Sequence, residues 1–238
     1  MHLLAIDAGN TRIKWALHDG RQWLQRGYIG PDPSALLTSL AAQPDRIIIS
    51  NVGGQANADR LAPLWPAERI HTIQASRVQC GVSNHYEQPE QLGSDRWAAL
   101  IGAHKLGANT ALVVTAGTAL TVDALHQGQF LGGIIAPGYQ LMQTALNRHT
   151  AQLGADSGTF QTFPRQTADA ISSGCLLALS GAIEQMRTAL YEQTQQTVTI
   201  WLNGGDAPIL APHFPLASRL EDNLVLTGLY FIAQEVYA

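Results

Sequence analysis

Read for its alternation of apolar and polar positions, the chain opens on strands. Residues 3–7, 13–18 and 23–28 are short apolar or alternating runs, separated by Gly9-Asn10 and Asp19-Gly20. This pattern predicts three antiparallel strands joined by tight turns. Residues 33–42 then read as a helix, with Asp32 placed to cap it and Pro33 at its first position. The β-branched run 46–50 predicts a buried strand that ends at Asn51-Val52-Gly53-Gly54, with a shorter helix over 58–64 and another strand over 69–73. Residues 80–93 are polar and irregular, include Pro89, and read as a loop or lid. Trp97, Leu100, Ile101 and His104 recur at helical spacing and predict a helix over 95–106, with Ser94 as its N-cap and Gly107 as its stop.

The plan then repeats. Residues 111–114, 120–125 and 129–135 predict a second meander, broken by Pro137-Gly138. Helices are predicted over 139–146 and 167–193, the second open to a break at Gly174 or Gly181, with a loop over 154–166 between them. A strand over 197–202 runs into Asn203-Gly204-Gly205-Asp206, echoing the end of the 46–50 strand, and 223–237 predicts a closing helix. Asp7 to Gly20 aligns without a gap on Thr115 to Gly128, at an offset of 108 residues with six of fourteen positions identical. A repeat of this length marks a supersecondary unit used twice. Chance is the competing explanation, because Ala, Leu and Gly are common, but the shared strand–turn–strand context weighs against it. Two meanders with alternating helices and strands predict an α/β fold with mixed sheets in two halves. The first half is 1–109, closed by the C-terminal helix 222–238, and the second is 110–221.

Composition narrows the function classes. Apolar residues make up 46% of the chain and charged residues 13%, a core-rich profile far from disorder. The formal net charge of −4 and the lack of any Lys/Arg cluster argue against a nucleic-acid face. No apolar run reaches about 18 residues, so no membrane span is expected. The start runs directly into a strand, without the pattern of a secretory leader. Cys80 and Cys175 lie far apart and read as reduced thiols of a cytoplasmic protein.

The candidate chemistry lies in the turns. The chain has no P-loop, no G-x-G-x-x-G opening a helix, no zinc spacing and no G-x-S-x-G. In Asp7-Ala8-Gly9-Asn10-Thr11, Gly9 lets the backbone approach a ligand, and Asn10 and Thr11 add donors suited to phosphate. Asp7, a carboxylate ending an apolar strand, needs a partner and could hold Mg²⁺. Lys14 could neutralise phosphate charge, and is as readily a solvated strand residue. The second turn has Thr115 in place of Asp7 and Thr118 as a donor. Two such turns facing each other would clamp a nucleotide's phosphates. In Gly93-Ser94-Asp95-Arg96, Asp95 fits a base that orients and deprotonates a hydroxyl, and Arg96 an anion-binding group. Taken alone, that segment reads as a helix cap with an exposed Arg. Gly132, Gly133, Pro137 and Gly138 read as shaping a corner, Trp15, Trp97 and Trp201 as core, and Asp123 as either a ligand-facing or a satisfied strand carboxylate.

The doubled architecture resembles the ribonuclease-H-like unit duplicated in the actin, Hsp70 and sugar-kinase superfamily, where the cleft between the halves holds ATP. Four motifs carry a closer resemblance. They are Asp7-x-Gly9-Asn10-Thr11, Gly93-x-Asp95-Arg96, Gly117-Thr118 leading to Thr121-Val122-Asp123, and Gly132-Gly133-x-Ile135-x-Pro137-Gly138-x-x-Leu141-Met142. In that order, over nearly the whole chain, they closely resemble the type III pantothenate kinases. The resemblance implies ATP-dependent phosphorylation of pantothenate to 4′-phosphopantothenate, the first step of coenzyme A synthesis. It implies that Asp7, Ala8, Gly9, Asn10, Thr11, Arg12, Ile13 and Lys14 line the ATP phosphates, with Thr118 adding a contact. Asp95 would accept the proton, and Tyr86, Gly93, Ser94, Asp95 and Arg96 would hold pantothenate. Thr167 would reach it from the partner subunit of a homodimer. A divalent cation such as Mg²⁺ and a monovalent one, K⁺ or NH₄⁺, are implied cofactors. Many members carry an Asp that ligates the monovalent ion where this chain has Thr115, which predicts a weakened or altered requirement. A non-enzymatic accessory role in transcription, described for relatives, is the alternative. Retention of Asp7, Asp95, Arg96 and Thr118 argues for catalysis.

Overall fold

Two units with the same strand order make up the chain in the computed structural model, which describes residues 1–149, 158–214 and 218–237. In chain order the elements begin with β1 (Leu3–Ala8), β2 (Ile13–His18), β3 (Trp23–Ile29), α1 (Ala35–Ser39), β4 (Arg46–Asn51), α2 (Gln55–Leu61) and β5 (Ile70–Thr72). Then come β6 (Val78–Gln79), β7 (Val82–Asn84), α3 (Ser94–Lys105), β8 (Thr110–Ala116), β9 (Ala119–His126), β10 (Gln129–Pro137) and α4 (Tyr139–His149). The chain ends with α5 (Thr167–Thr194), β11 (Thr199–Asn203), α6 (Ala207–Leu210), β12 (Ser218–Leu220) and α7 (Leu224–Val236). One unit comprises Met1–Ala108, Gly128–Phe130 and Asn223–Ala238, the other Asn109–Gln127 and Leu131–Asp222.

In the first unit β1 pairs antiparallel with β2 and β2 with β3, while β4 and β5 add parallel on the other side of β1, giving the order β3-β2-β1-β4-β5. In the second unit β8 pairs antiparallel with β9, and β11 and β12 add parallel beyond it, giving β10-β9-β8-β11-β12. The duplicated meander and the parallel strand after it therefore occupy matching places, and the α/β architecture with mixed sheets follows the sequence pattern.

The two hairpins differ by one residue. Ala8 pairs with Ile13 across a four-residue turn, whereas Ala116 pairs with Leu120 across three residues. Side chains alternate along a strand, so a slip of one residue exchanges its faces. Ile13, Trp15 and Leu17 accordingly join Leu4 and Ile6 in one core, while Leu120, Val122 and Ala124 join Leu112 and Val114 in the other. The gapless alignment matches Ile13 with Thr121, but the structure places Thr121 on the opposite face of its strand from the core.

Several elements depart from the predicted bounds for local reasons. The helix predicted over 33–42 is only α1, because the Asp32 carboxylate takes both the Ser34 N–H and the Ser34 hydroxyl in a tight local turn before it. The helix predicted over 58–64 begins earlier, at Gln55, and tightens into a 3₁₀ turn at Ala62–Leu64, which contains Pro63. The segment predicted as a loop or lid holds the turn of the β6–β7 hairpin, at Cys80 (φ 52°) and Gly81 (φ 82°), and its second strand. The long helix α5 runs unbroken through Gly174 and Gly181, where nothing lies within 4 Å of an added Cβ. Of the predicted 154–166 loop, 154–157 lie outside the described residues.

Within the first unit α3 and α7 pack backbone to backbone. A Cβ on Gly228 would stand 1.8 Å from the Ala98 carbonyl oxygen, and one on Gly102 would stand 2.4 Å from that of Leu224. This contact fixes α3, and so the segment at its N-terminal end, against the sheet.

Candidate functional site

In the first unit, the ends of β1 and β4 and the start of α3 bring the predicted groups together. Asp7, on β1, lies across from Lys14 of β2 and beside Ser50 of β4. The Ser50 hydroxyl is 2.8 Å from that of Ser94, with either able to donate, and Asp95 follows Ser94 in the first turn of α3. Ser94 is thus not the N-cap of this helix: Gly93 holds that position, and the Ser94 hydroxyl is turned to Ser50 instead.

The electrostatics follow from this placement. Burial raises the Asp7 carboxyl to about 7, with the Asp95 charge adding to the rise and Lys14 opposing it. Burial likewise raises Asp95, against the Arg96 backbone N–H, which donates to its Oδ1 at 2.8 Å, and the Arg96 charge. Lys14 is therefore the counter-charge of Asp7 on the same sheet face. A buried carboxyl group whose proton affinity is raised further by a neighbouring carboxylate is one a divalent cation relieves, so Asp7 fits such an ion.

The turn after β1 is tied down through its carbonyls. Ala8 C=O accepts from the Val52 and Gly53 N–H groups at 3.1 and 3.0 Å, and Gly9 C=O accepts from Asn57 Nδ2 at 3.0 Å. A cleft of about 130 Å³ opens beside it, bordered by residues 9–13 with Tyr28, Ile29, Asn57 and Arg60. Ile13 sends its side chain into the core, so toward this cleft it offers backbone only, and the Ala8 side chain lies in the same core.

Arg96 is buried, at 5% exposure. Its guanidinium lies 5.8 Å from the ring centre of Tyr86 and 5.9 Å from that of Phe130, and Nη1 donates to the Tyr86 hydroxyl at 3.0 Å. Tyr86 is held in turn by two residues the sequence did not single out. Asn84 Oδ1 accepts the Tyr86 N–H at 3.0 Å, and Arg77 Nη1 donates to the carbonyls of Asn84 and Tyr86, both at 2.9 Å. Ser50 and Asn57 were also missed. Only Ser50 carried a signal, as a polar residue ending an apolar strand.

In the second unit the matching row is neutral. Thr115 pairs with Thr121 of β9 and with Asn203 of β11, and Asn203 Nδ2 donates to Thr115 Oγ1 at 2.9 Å and to Val114 C=O at 3.0 Å. Thr118 C=O accepts the Gly138 N–H at 2.9 Å, and a Cβ on Gly138 would stand 1.9 Å from Gly117 O, so Gly138 packs on the turn. Asp123 is buried in β9, on the Thr121 face. Thr167 is exposed as the first residue of α5. The segment before it is fastened to that helix by Asp169, which accepts from Thr159 N–H and from Gln166 Nε2, both at 2.7 Å.

Comparison with known proteins agrees with the fold. A solved structure from Campylobacter jejuni, provisionally named for the Baf family of transcriptional activators, superposes with a TM-score of 0.65 at 21% identity, covering 98% of each chain. A Sinorhizobium meliloti structure, provisionally named a 2-dehydro-3-deoxygalactonokinase, gives 0.62 at 18%, covering 99% of each. The fold is that of the actin, Hsp70 and sugar-kinase class. Residues 3–189 match the type III pantothenate kinase family. A Nitrosospira multiformis protein named type III pantothenate kinase is 45% identical over 240 residues, covering 98% of this chain and 91% of the other. The chain belongs to the type III pantothenate kinase family and is a kinase, a class that uses ATP with a divalent cation.

Proposed function

We propose that this protein transfers the γ-phosphoryl group of ATP to the primary hydroxyl of pantothenate, giving 4′-phosphopantothenate and ADP for coenzyme A synthesis. The observation that carries the reading is the family match over residues 3–189, which takes in both the turn after β1 and the start of α3. The turn from Asp7 to Lys14 would hold the ATP phosphates, with Thr118 as a further contact. Tyr86, Gly93, Ser94 and Arg96 would hold pantothenate, and the rings flanking the Arg96 guanidinium would keep it oriented. Asp95 accepts the hydroxyl proton as the oxygen attacks the γ-phosphorus and the bond to the ADP oxygen breaks. Its raised proton affinity supports that role. A divalent ion held at Asp7 would supply charge neutralisation on the phosphates. Asn203 already donates to the neutral Thr115 oxygen, which supports a weak or altered response to K⁺ or NH₄⁺. The exposed face of α5, with Gly174, Leu177 and Gly181, supports a homodimer whose partner brings Thr167 to the substrate.

Coupled ADP release with pantothenate tests the reading. The wild type is expected to turn over in a pantothenate-dependent way, and Asp95→Asn to lose at least ~100-fold in kcat with an unchanged unfolding midpoint. A wild type without pantothenate-dependent turnover would sink the proposal.

A further inference from the structure

We propose that Asn57 is a positioning residue for the turn after β1: its side-chain amide, lying where Gly53 has no side chain, holds the Gly9 carbonyl back so that the turn presents N–H groups to phosphate. The assignment rests on the reading that ATP phosphates sit at this turn. A backbone turn binds an anion only if its carbonyl oxygens face elsewhere, because each C=O dipole turned inward repels the charge that the N–H groups attract. Here the two carbonyls at the base of the turn are both committed. Ala8 C=O is fixed by the Val52 and Gly53 backbone N–H groups. Gly9 C=O takes its bond from the Asn57 side chain, 48 residues along the chain, at 3.0 Å.

The geometry explains the need for Gly53. A Cβ there would stand 2.0 Å from Asn57 Nδ2 and 2.8 Å from Gly9 O, inside the very contact the amide makes. The same Asn57 borders the cleft beside residues 9–13, so the latch stands at the wall of the candidate site. Asn57 touches the turn and not the reacting atoms. Its effect falls on how well the nucleotide is held, and leaves pantothenate, assigned to Tyr86 and Arg96, unaffected.

The experiment compares wild type, Asn57→Ala, Gly53→Ala and the double variant. Each single variant is expected to raise the KM for ATP roughly five- to tenfold, the scale of one hydrogen bond, with the KM for pantothenate unchanged. Calorimetric ATP affinity without pantothenate should fall by the same factor. The double variant should be little worse than either single one, since both remove the same contact. In the nucleotide-free protein, the amides of Asn10 and Thr11 should exchange hydrogen faster in the variants than in wild type. Should Asn57→Ala fail to fold, Gly53→Ala carries the comparison. Unchanged ATP affinity and exchange in a folded variant, or equal rises in both KM values, would overturn the latch. A wild type that binds no nucleotide would instead overturn the reading on which it rests.

Discussion

Asp7 stands in a charged row, with Lys14 on one neighbouring strand and Ser50 on the other, while the equivalent row of the second unit, Thr121, Thr115 and Asn203, carries no charge. A neutral hydroxyl that already accepts from an amide is a poor ligand for a monovalent ion. Activity is therefore expected to change little when K⁺ replaces a bulky organic cation, and Thr115→Asp to increase that response. Strong saturable activation of the wild type by K⁺ would refute this. His18 gives a prediction on stability. It is buried, its Nδ1 accepts the Gly20 N–H at 2.9 Å, and its ring lies 4.1 Å from that of Tyr230. Burial lowers its proton affinity below the usual histidine value. The unfolded chain thus binds the proton first, and the contribution of His18, intact above about pH 6.5, is lost as pH falls below that value. Urea unfolding at pH 7.5 and 5.5 should show that the stability of His18→Asn, which keeps an acceptor but does not titrate, falls less over this range than that of the wild type. Asp7 stood out in the sequence because a carboxylate ending an apolar strand needs a partner, whereas Asp95, which alone reads as part of a helix cap, stood out through its place in the order of motifs. Ser50 and Asn57 did not, because their partners lie 44 and 48 residues away and only the folded sheet reveals them.

Glycine has opposite meanings in two of the helices. In α7, Gly228 lets α3 approach until an added Cβ would stand 1.8 Å from a backbone oxygen. Gly228→Ala is expected to destabilise the protein by about 2 kcal/mol or more, read from the urea midpoint, because backbone has to move. In α5, Gly174 has open space around it, so Gly174→Ala should stabilise the isolated chain by about 0.5–1 kcal/mol through helix entropy alone. Predicting α5 as liable to break there gave glycine's flexibility too much weight against the packing of Leu176, Leu179 and Ile183 on the core. The 33–42 helix failed for the converse reason. Asp32, expected as its cap, serves a local turn with Ser34 that competes with a longer helix, and Ser34 holds the cap position instead.

For the whole molecule, the doubling was legible because apolar runs and turn residues repeat at a fixed offset, and the matching strand orders follow from it. If α5 pairs two copies, Leu177→Glu should convert a dimer to a monomer in analytical ultracentrifugation at unchanged unfolding midpoint. A wild type that sediments as a monomer would refute the pairing. What the alignment concealed was the length of a turn. Four residues separate the paired ends of the first hairpin and three those of the second. The two halves are therefore not interchangeable parts. Replacing residues 117–120 by residues 9–12, as the gapless alignment suggests, would carry over the donors at unchanged chain length. With a four-residue turn Thr121 would then pair with Ala116, bringing Thr121 and Asp123 into the core and turning Val122 and Ala124 out of it. A faithful graft sets four turn residues in place of the three at 117–119, because each hairpin fits only its own frame.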